Sequence, residues 1–379
     1  MKKALSVVFG YMKKSDSLLL FLSLVSSVFG IILISSALHS SPSRSGIIIQ
    51  IIALILGIGL YVVFSLIDID IIADKSLFLF IFSVILISTL FVWGVAGESG
   101  NRAWLSFGPI SIQPAEIVKI PFIIIIAKMI SYFKEDGVLS KPIPVISLAV
   151  VFGVIFGLII ISSADLGSAL VYMFVFAVML FLGGVNIIWF GIAAGIAAAA
   201  MPFIWNRFLS DLQKDRILAP YDQSVDPTGL GISWQANQSK AAISAGGFTG
   251  EGLYNGGFTQ SGGVPQQHTD FIYSVAGEEF GFIGAVAIIV LLLAIIIRCY
   301  YVGVRSNNTL SYLVCTGISA MFLAQTLENI GMCIGLTPVI GLTLPFFSYG
   351  GSSVIVNFVA IGIVSGIMMR PRTQSFQKI

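Results

Sequence analysis

LGSALVYMFVFAVMLFLGGVNIIWFGIAAGIAAAAMPFIWN, residues 166–206, contains no Asp, Glu, Lys or Arg. A helix crossing a bilayer needs about 20 apolar residues, so this run is long enough for two spans. Gly183 and Gly184 supply the turn between them. Residues 329–369 form a second such run, and 17–43, 45–67, 76–97, 142–164 and 306–327 are uncharged too. Only 10% of the 379 residues are Asp, Glu, Lys or Arg, against about 25% in a soluble domain. Mean hydropathy is +0.99. The pattern predicts an all-α polytopic membrane protein, a single membrane domain over 1–379. Ten spans are expected: 16–38, 46–67, 77–96, 114–132, 143–163, 167–185, 186–204, 271–297, 309–333 and 350–369.

An even number of spans leaves both termini on one side, and the positive-inside rule makes that side cytoplasmic. Lys2, Lys3, Lys13 and Lys14 precede the first span, and Arg370 and Arg372 follow the last. Lys134, Lys141, Arg298 and Arg305 fall in short loops on the same side, while Arg44 and Arg102 go against the bias. The first span has the basic start of a signal peptide, but it outruns an h-region and is read as uncleaved. Cys299, Cys315 and Cys333 form no CxxC pair and no disulfide frame. His39 and His268 are too few for a histidine-built metal site. A net charge of +2 singles out no partner, and no nucleic acid is expected.

Polar residues gather in three places. The first is the large outer loop, 205–270, between the seventh and eighth spans. It has no obvious secondary structure, and its length suits a functional loop or lid. It carries Arg207, Asp211, Lys214, Asp215 and Arg216, then WQANQSKAAISAGGFTGEGLYNGGFTQSGGVPQQHTD from 234 to 270. Its glycine-rich backbone either approaches a phosphate or sugar closely or simply forms turns. The second is GESGNRAWLSFGPISIQPAEIVKIP, 97–121. Gln113-Pro114 reads as a helix start, Glu116 and Lys119 share one helical face, and Pro121 frees the carbonyl of Ile117. That pair either neutralises itself in the bundle or lines a pathway, since charge within a membrane is costly. Asp165 reads as a helix cap. The third is LENIGMCIGLTPVIGLTLPFFSYGGSS, 327–353, where prolines and glycines break an apolar run behind Glu328 and Asn329. Broken backbone at membrane depth belongs beside a polar interior.

VPQQHTDFIYSVAGEEFG, 264–281, joins the outer loop to the eighth span. Asp270 is a helix N-cap here or a chemical group, with Thr269 as the alternative cap and no capping box behind either. Glu278 and Glu279, inside the apolar run, invite a lysine or arginine partner elsewhere in the bundle. Composition alone does not separate an enzyme from a transporter.

Taken together, these segments resemble the SEDS family (shape, elongation, division and sporulation proteins). NRAWLSFGPISIQPAEIVK is similar to its R-x-W-L…QPSE-x-x-K signature and DLGSAL to its QPDLGT segment. NQSKAAISAGGFTGEGL is similar to QS-x-x-AI-x-SGG-x-x-GKG, and HTDFIYSVAGEEFGFIGA to PE-x-HTDFIF-x-x-x-x-EELG. The segment from Asn329 to Ser353 resembles the C-terminal NIGM…SYGGSS signature. The matches run in family order over about 90–370, and the compact length favours the elongation branch. Ser163 and Ala164 stand where the family has Gln and Pro, and Gln266 where it has an acid.

The resemblance implies a peptidoglycan glycosyltransferase that polymerises lipid II, an undecaprenyl-pyrophosphate disaccharide-peptide, at the outer face of the bacterial cytoplasmic membrane. It implies a class B penicillin-binding protein and the cell-wall elongation machinery as partners. The family's catalytic aspartate falls on Asp270. Arg102, Trp104, Glu116, Lys119, Arg216, Gln238, Ser239 and Lys240 are the expected substrate contacts, and Asp165, Glu278, Glu279 and Glu328 structural or cavity charges. Asp270 would act as general base. The departing pyrophosphate needs fixed cations, with Lys119, Arg102 and Arg216 the candidates in that order, or a divalent metal such as Mg or Mn. A lipid II flippase is the rival class, supported by intramembrane charge and broken helices but lacking an inverted repeat. A scaffold explains the spans and not the charged chamber.

Overall fold

The computed structural model describes residues 14–39, 45–96, 101–108, 110–207 and 209–370. Lys2, Lys3, Lys13, Arg44 and Arg372, used above to orient the chain, lie outside the described residues.

Asp16 caps the first helix, α1 (Ser17–Ala37), by accepting from the Leu19 amide at 3.1 Å. Its other oxygen accepts from Arg298 Nε at 2.8 Å, which ties the start of α1 to a later span. Next come α2 (Ser45–Leu66), α3 (Ile69–Ala73), α4 (Ser76–Ser88) and α5 (Leu90–Trp93). An antiparallel hairpin, β1 (Leu105–Phe107) with β2 (Ile110–Ile112), leads to α6 (Pro114–Glu135). Then follow α7 (Pro142–Ser163), α8 (Leu166–Gly183) and α9 (Ile187–Arg207). The outer loop folds into α10 (Asp211–Leu218), α11 (Trp234–Ala245) and α12 (Gly257–Ser261), and α13 (Ile272–Glu279) closes it. The chain ends through α14 (Gly281–Arg305), α15 (Thr309–Cys333) and α16 (Gly351–Met369).

Nine helices among the described residues are long and apolar enough to cross a membrane, with Ser76–Trp93 counted as one. The fourth expected span, α6, has 22 residues. Glu116, Lys119, Lys128 and Lys134 make it too charged to join that set. It packs instead among α4, α8 and α15, inside the bundle. α15 is the most enclosed of the spans and α16 the next. α16 runs along α2, where Tyr61 Oη donates to Ser365 Oγ at 2.9 Å. Arg370 closes the inner end of that pair by donating to the carbonyls of Leu66 and Ile67.

Large apolar side chains such as Ile55 and Phe78 face outward, both more than 60% exposed. In water this would be a liability; against acyl chains it is the solvated state. α9 is the extreme case, with no buried residue. It is held at its inner end, where the Asn186 amide donates to Ser140 Oγ at 3.0 Å and Trp189 Nε1 to the Ser140 carbonyl at 2.9 Å.

Two expectations need correction. The outer loop is not without secondary structure, because α10, α11 and α12 lie within it. The eighth span is not continuous over 271–297, because the helix breaks at Phe280 and restarts at Gly281. Gly281 has φ +64°, and a side chain there would run into the backbone of Phe248 and Gly250. The amides of Glu251 and Gly252 donate to the carbonyls of Glu278 and Glu279, each at 3.0 Å, and Phe282 N donates to Gly247 O at 2.9 Å. The outer loop is therefore stitched into the break.

Candidate active site

A cavity of about 1160 Å³ opens at the end of the bundle that carries the 205–270 loop. The hairpin, the start of α6, the outer loop and the segment between α15 and α16 all contribute to its wall. Asp270 lines it. The N-cap position of α13 is Phe271, which makes no side-chain cap, one residue beyond Asp270.

The backbone around Asp270 is pinned from several sides. Gln266 has φ +51°, and its carbonyl accepts from the amides of Thr269 (3.1 Å), Asp270 (3.0 Å) and Phe271 (3.2 Å). Asn329, fully buried on α15, donates through Nδ2 to the carbonyls of Asp270 (2.7 Å) and Leu342 (2.6 Å). The Tyr349 amide donates to the His268 carbonyl at 2.9 Å. Gly341, at φ +72°, passes so close that a Cβ there would lie 3.3 Å from Asp270 Oδ2. These bonds leave the aspartate little backbone freedom. Asn329 was visible in the sequence only as the neighbour of Glu328; nothing local marked it as the residue that joins two loops.

Glu116 lines the cavity, and Lys119 sits behind it with Nζ 2.5 Å from Glu116 Oε1, both buried. Breaking such a pair costs about 3–5 kcal/mol. Lys119 is thus occupied inside the bundle and does not reach the cavity wall, contrary to its first rank among the expected pyrophosphate cations. Arg102 is exposed and is also absent from the wall, although Asn101, Ala103 and Trp104 contribute to it. Arg216 is the one cation of those three that lines the cavity.

In NQSK the expected contacts separate. Lys240 lines the cavity, whereas Ser239 is buried and donates to the Cys333 carbonyl at 2.8 Å, and Gln238 is not part of the wall. Asn237 takes the second place on that helix face, three residues before Lys240. Asp165 is the cap expected of it, accepting from Ser168 N at 3.0 Å and Ser168 Oγ at 2.7 Å. It also accepts from Gln113 Nε2 at 2.8 Å and lines the cavity. Ala164 before it has φ +53°, which proline's ring forbids. The turn thus has a shape that the family's proline would not allow.

Glu278 and Glu279 neither line the cavity nor pair with a cation among the described residues. Glu278 accepts from Phe258 N (2.6 Å), Thr259 N (2.9 Å) and Thr259 Oγ1 (2.6 Å), at the start of α12. Glu279 accepts from Ser36 Oγ at 2.5 Å, Tyr254 N at 3.2 Å and Gln260 Nε2 at 3.2 Å. Both fasten the outer loop to the bundle. Glu328 stands away from the wall, and its Oε2 has no hydrogen-bond partner among the described residues.

Asp226 in the outer loop also lines the cavity. The Ser233 amide at 3.0 Å, with the Gly231 amide at 2.9 Å, holds its carboxyl below the ordinary carboxylate range. The wall offers no site for a divalent metal built from protein ligands alone among the described residues. No three Asp, Glu, His or Cys residues gather into a metal-holding group among the described residues. Glu116, Asp165 and Asp226 are each engaged by protein donors, and the residue at 266 is a neutral glutamine.

A family model, FTSW_RODA_SPOVE, described as a cell cycle protein, matches residues 16–373. The chain is similar to the peptidoglycan glycosyltransferase MrdB of Escherichia coli K12, at 31% identity over 76% of each chain. It is equally similar to the probable peptidoglycan glycosyltransferase FtsW of Bacillus subtilis 168, at 31% identity over 94% of this chain and 91% of that one. Among solved structures it resembles a chain from a peptidoglycan synthase complex that coordinates polymerization and crosslinking. There the TM-score is 0.78 and the identity 28%, over 95% and 99% of the two chains. The rod shape determining protein RodA of Thermus thermophilus shares the fold, with a TM-score of 0.70 at 24% identity over 95% and 98%.

Proposed function

The chain belongs to the FtsW, RodA and SpoVE family of cell cycle proteins, and on that premise we propose that it is a peptidoglycan glycosyltransferase using Asp270 as general base. Relatives named MrdB and FtsW match at the same identity. The substrate in this reading is lipid II, held with its headgroup in the cavity and its polyprenyl tail among the spans. Both termini are cytoplasmic and the cavity faces outward. A class B penicillin-binding protein supplies crosslinking, a reading supported by the synthase complex that the chain resembles.

One observation carries the mechanism: a carboxylate lines the cavity on a backbone that Gln266, Asn329 and the Tyr349 amide hold in place. The acceptor sugar's 4-hydroxyl oxygen bonds to the donor's anomeric carbon as the bond from that carbon to the diphosphate oxygen breaks. The anomeric centre inverts, and the lipid diphosphate leaves with the electron pair. The hydroxyl proton passes to Asp270 and from there to water, which typically contributes about 10²–10⁴-fold. Asn329 and Gly341 position the base, and Trp104 offers an apolar face to a sugar ring.

The test is a gel of glycan chains made from lipid II by purified protein with its partner in detergent. Asp270→Asn should insert and melt as the parent does, with polymerisation reduced about 10²-fold or more. Undiminished polymer from that variant would overturn the assignment. Detergent removes sidedness, so a flippase or a scaffold would yield no polymer in either form.

A further inference from the structure

Two cations line the cavity among the described residues, Arg216 from α10 and Lys240 from α11. Neither makes an ion pair with any described carboxylate. Apart from Asp270, the proposed base, the acids on the same wall are committed elsewhere, Glu116 to Lys119, Asp165 to Gln113 and Ser168, and Asp226 to its own loop. Lys240 is exposed, and its stem lies along Gly335, with Nζ 3.3 Å from where a Cβ of that glycine would stand. Unpaired cations facing a chamber that holds no metal-ligand cluster are suited to an anion, and a departing diphosphate accumulates negative charge that fixed donors can stabilise.

We propose that Lys240, together with Arg216, is the counter-charge for the donor's diphosphate, and that this protein needs no divalent metal for the transfer. The inference rests on the glycosyltransferase reading for its substrate. It differs from the expectation of a metal, and it gives Lys240 the role first expected of Lys119. An ammonium on a flexible stem can follow the phosphate as the glycosidic bond stretches, and Arg216 adds planar donors suited to two phosphate oxygens.

Two measurements test it. In the first, glycan synthesis by the full chain with its partner is compared in excess EDTA and in Mg²⁺ or Mn²⁺. The parent should change by less than about twofold, because its counter-charges are covalently attached. Lys240→Gln should lose about tenfold in kcat/KM, Lys240→Arg should retain most of it, and added Mg²⁺ should help only the glutamine variant. Loss of the parent's activity in EDTA with recovery on adding metal would overturn the proposal, as would a Lys240→Gln variant with unchanged kinetics. The second measurement is inorganic pyrophosphate binding, followed by fluorescence of Trp104 and Trp234, which line the same cavity. Binding should weaken about tenfold in Lys240→Gln and persist in Asp270→Asn. Pyrophosphate binding that depends on Lys240, in a protein that makes no polymer, would support the anion site and refute the glycosyltransferase reading. Polymer formation indifferent to Lys240 would refute the anion site alone.

Discussion

At the scale of single residues, the arrangement turns on one buried amide. Asn329 holds the carbonyls of Asp270 and Leu342 together, so it sets where the aspartate stands without touching substrate. Asn329→Asp keeps the volume but replaces the donor with an acceptor facing two carbonyls. A displacement near 1 Å at the reacting group costs about 10²-fold. The expected outcome is a fall of that order in kcat with KM within about threefold of the parent, measured on a variant shown to melt as a folded protein. A KM raised by a similar factor with kcat unchanged would instead mark it as a substrate contact. Position alone left Asp270 a helix cap or a chemical group; it was the resemblance of HTDF to the family's segment that marked it, and the structure places it on the cavity wall. Its support was not legible in the sequence, because the donors come from positions 59 residues away on α15 and from the loop after it.

At the scale of elements, spans and joints differ in how openly the sequence shows them. Spans were legible because long uncharged runs have one reading in a bilayer. The break between α13 and α14 was hidden because Glu278 and Glu279 seemed to lie inside a span. Their partners are N–H and O–H groups of an outer-loop turn rather than cations. GGFT shows the same limit. Its first copy ends α11 at Gly246 and its second begins α12 at Gly256 and Gly257, so one tetrapeptide serves opposite ends of helices. Glu278→Ala would leave two amides and a hydroxyl around α12 without their acceptor. At about 1–3 kcal/mol for a buried unsatisfied group, we expect a loss of roughly 2–5 kcal/mol. Hydrogen exchange should accelerate at 256–261 while α15 stays protected. Unchanged protection there would contradict the stitching role.

At the scale of the whole molecule, α9 is the span least enclosed by the bundle. That helix has 21 residues and none of them is buried. At about 1.5 Å per residue it is roughly 30 Å long, close to the hydrocarbon thickness of a bilayer. Its inner end is fastened at Ser140, and its outer end leads into α10, which carries Arg216 to the cavity. A helix longer than the hydrocarbon tilts, and a shorter one draws the bilayer in; the other spans are more enclosed by their neighbours, whereas α9 packs on the core at Trp189 and Phe190, near its start. We predict that membrane thickness is an input to the reaction, transmitted by α9 as a lever pivoted near Ser140. Polymerisation in vesicles of graded acyl length should pass through an optimum near about 30 Å of hydrocarbon. Ser140→Ala, which removes a pivot bond, should flatten that optimum, and a rate indifferent to lipid length in the parent would show that the lever is not connected.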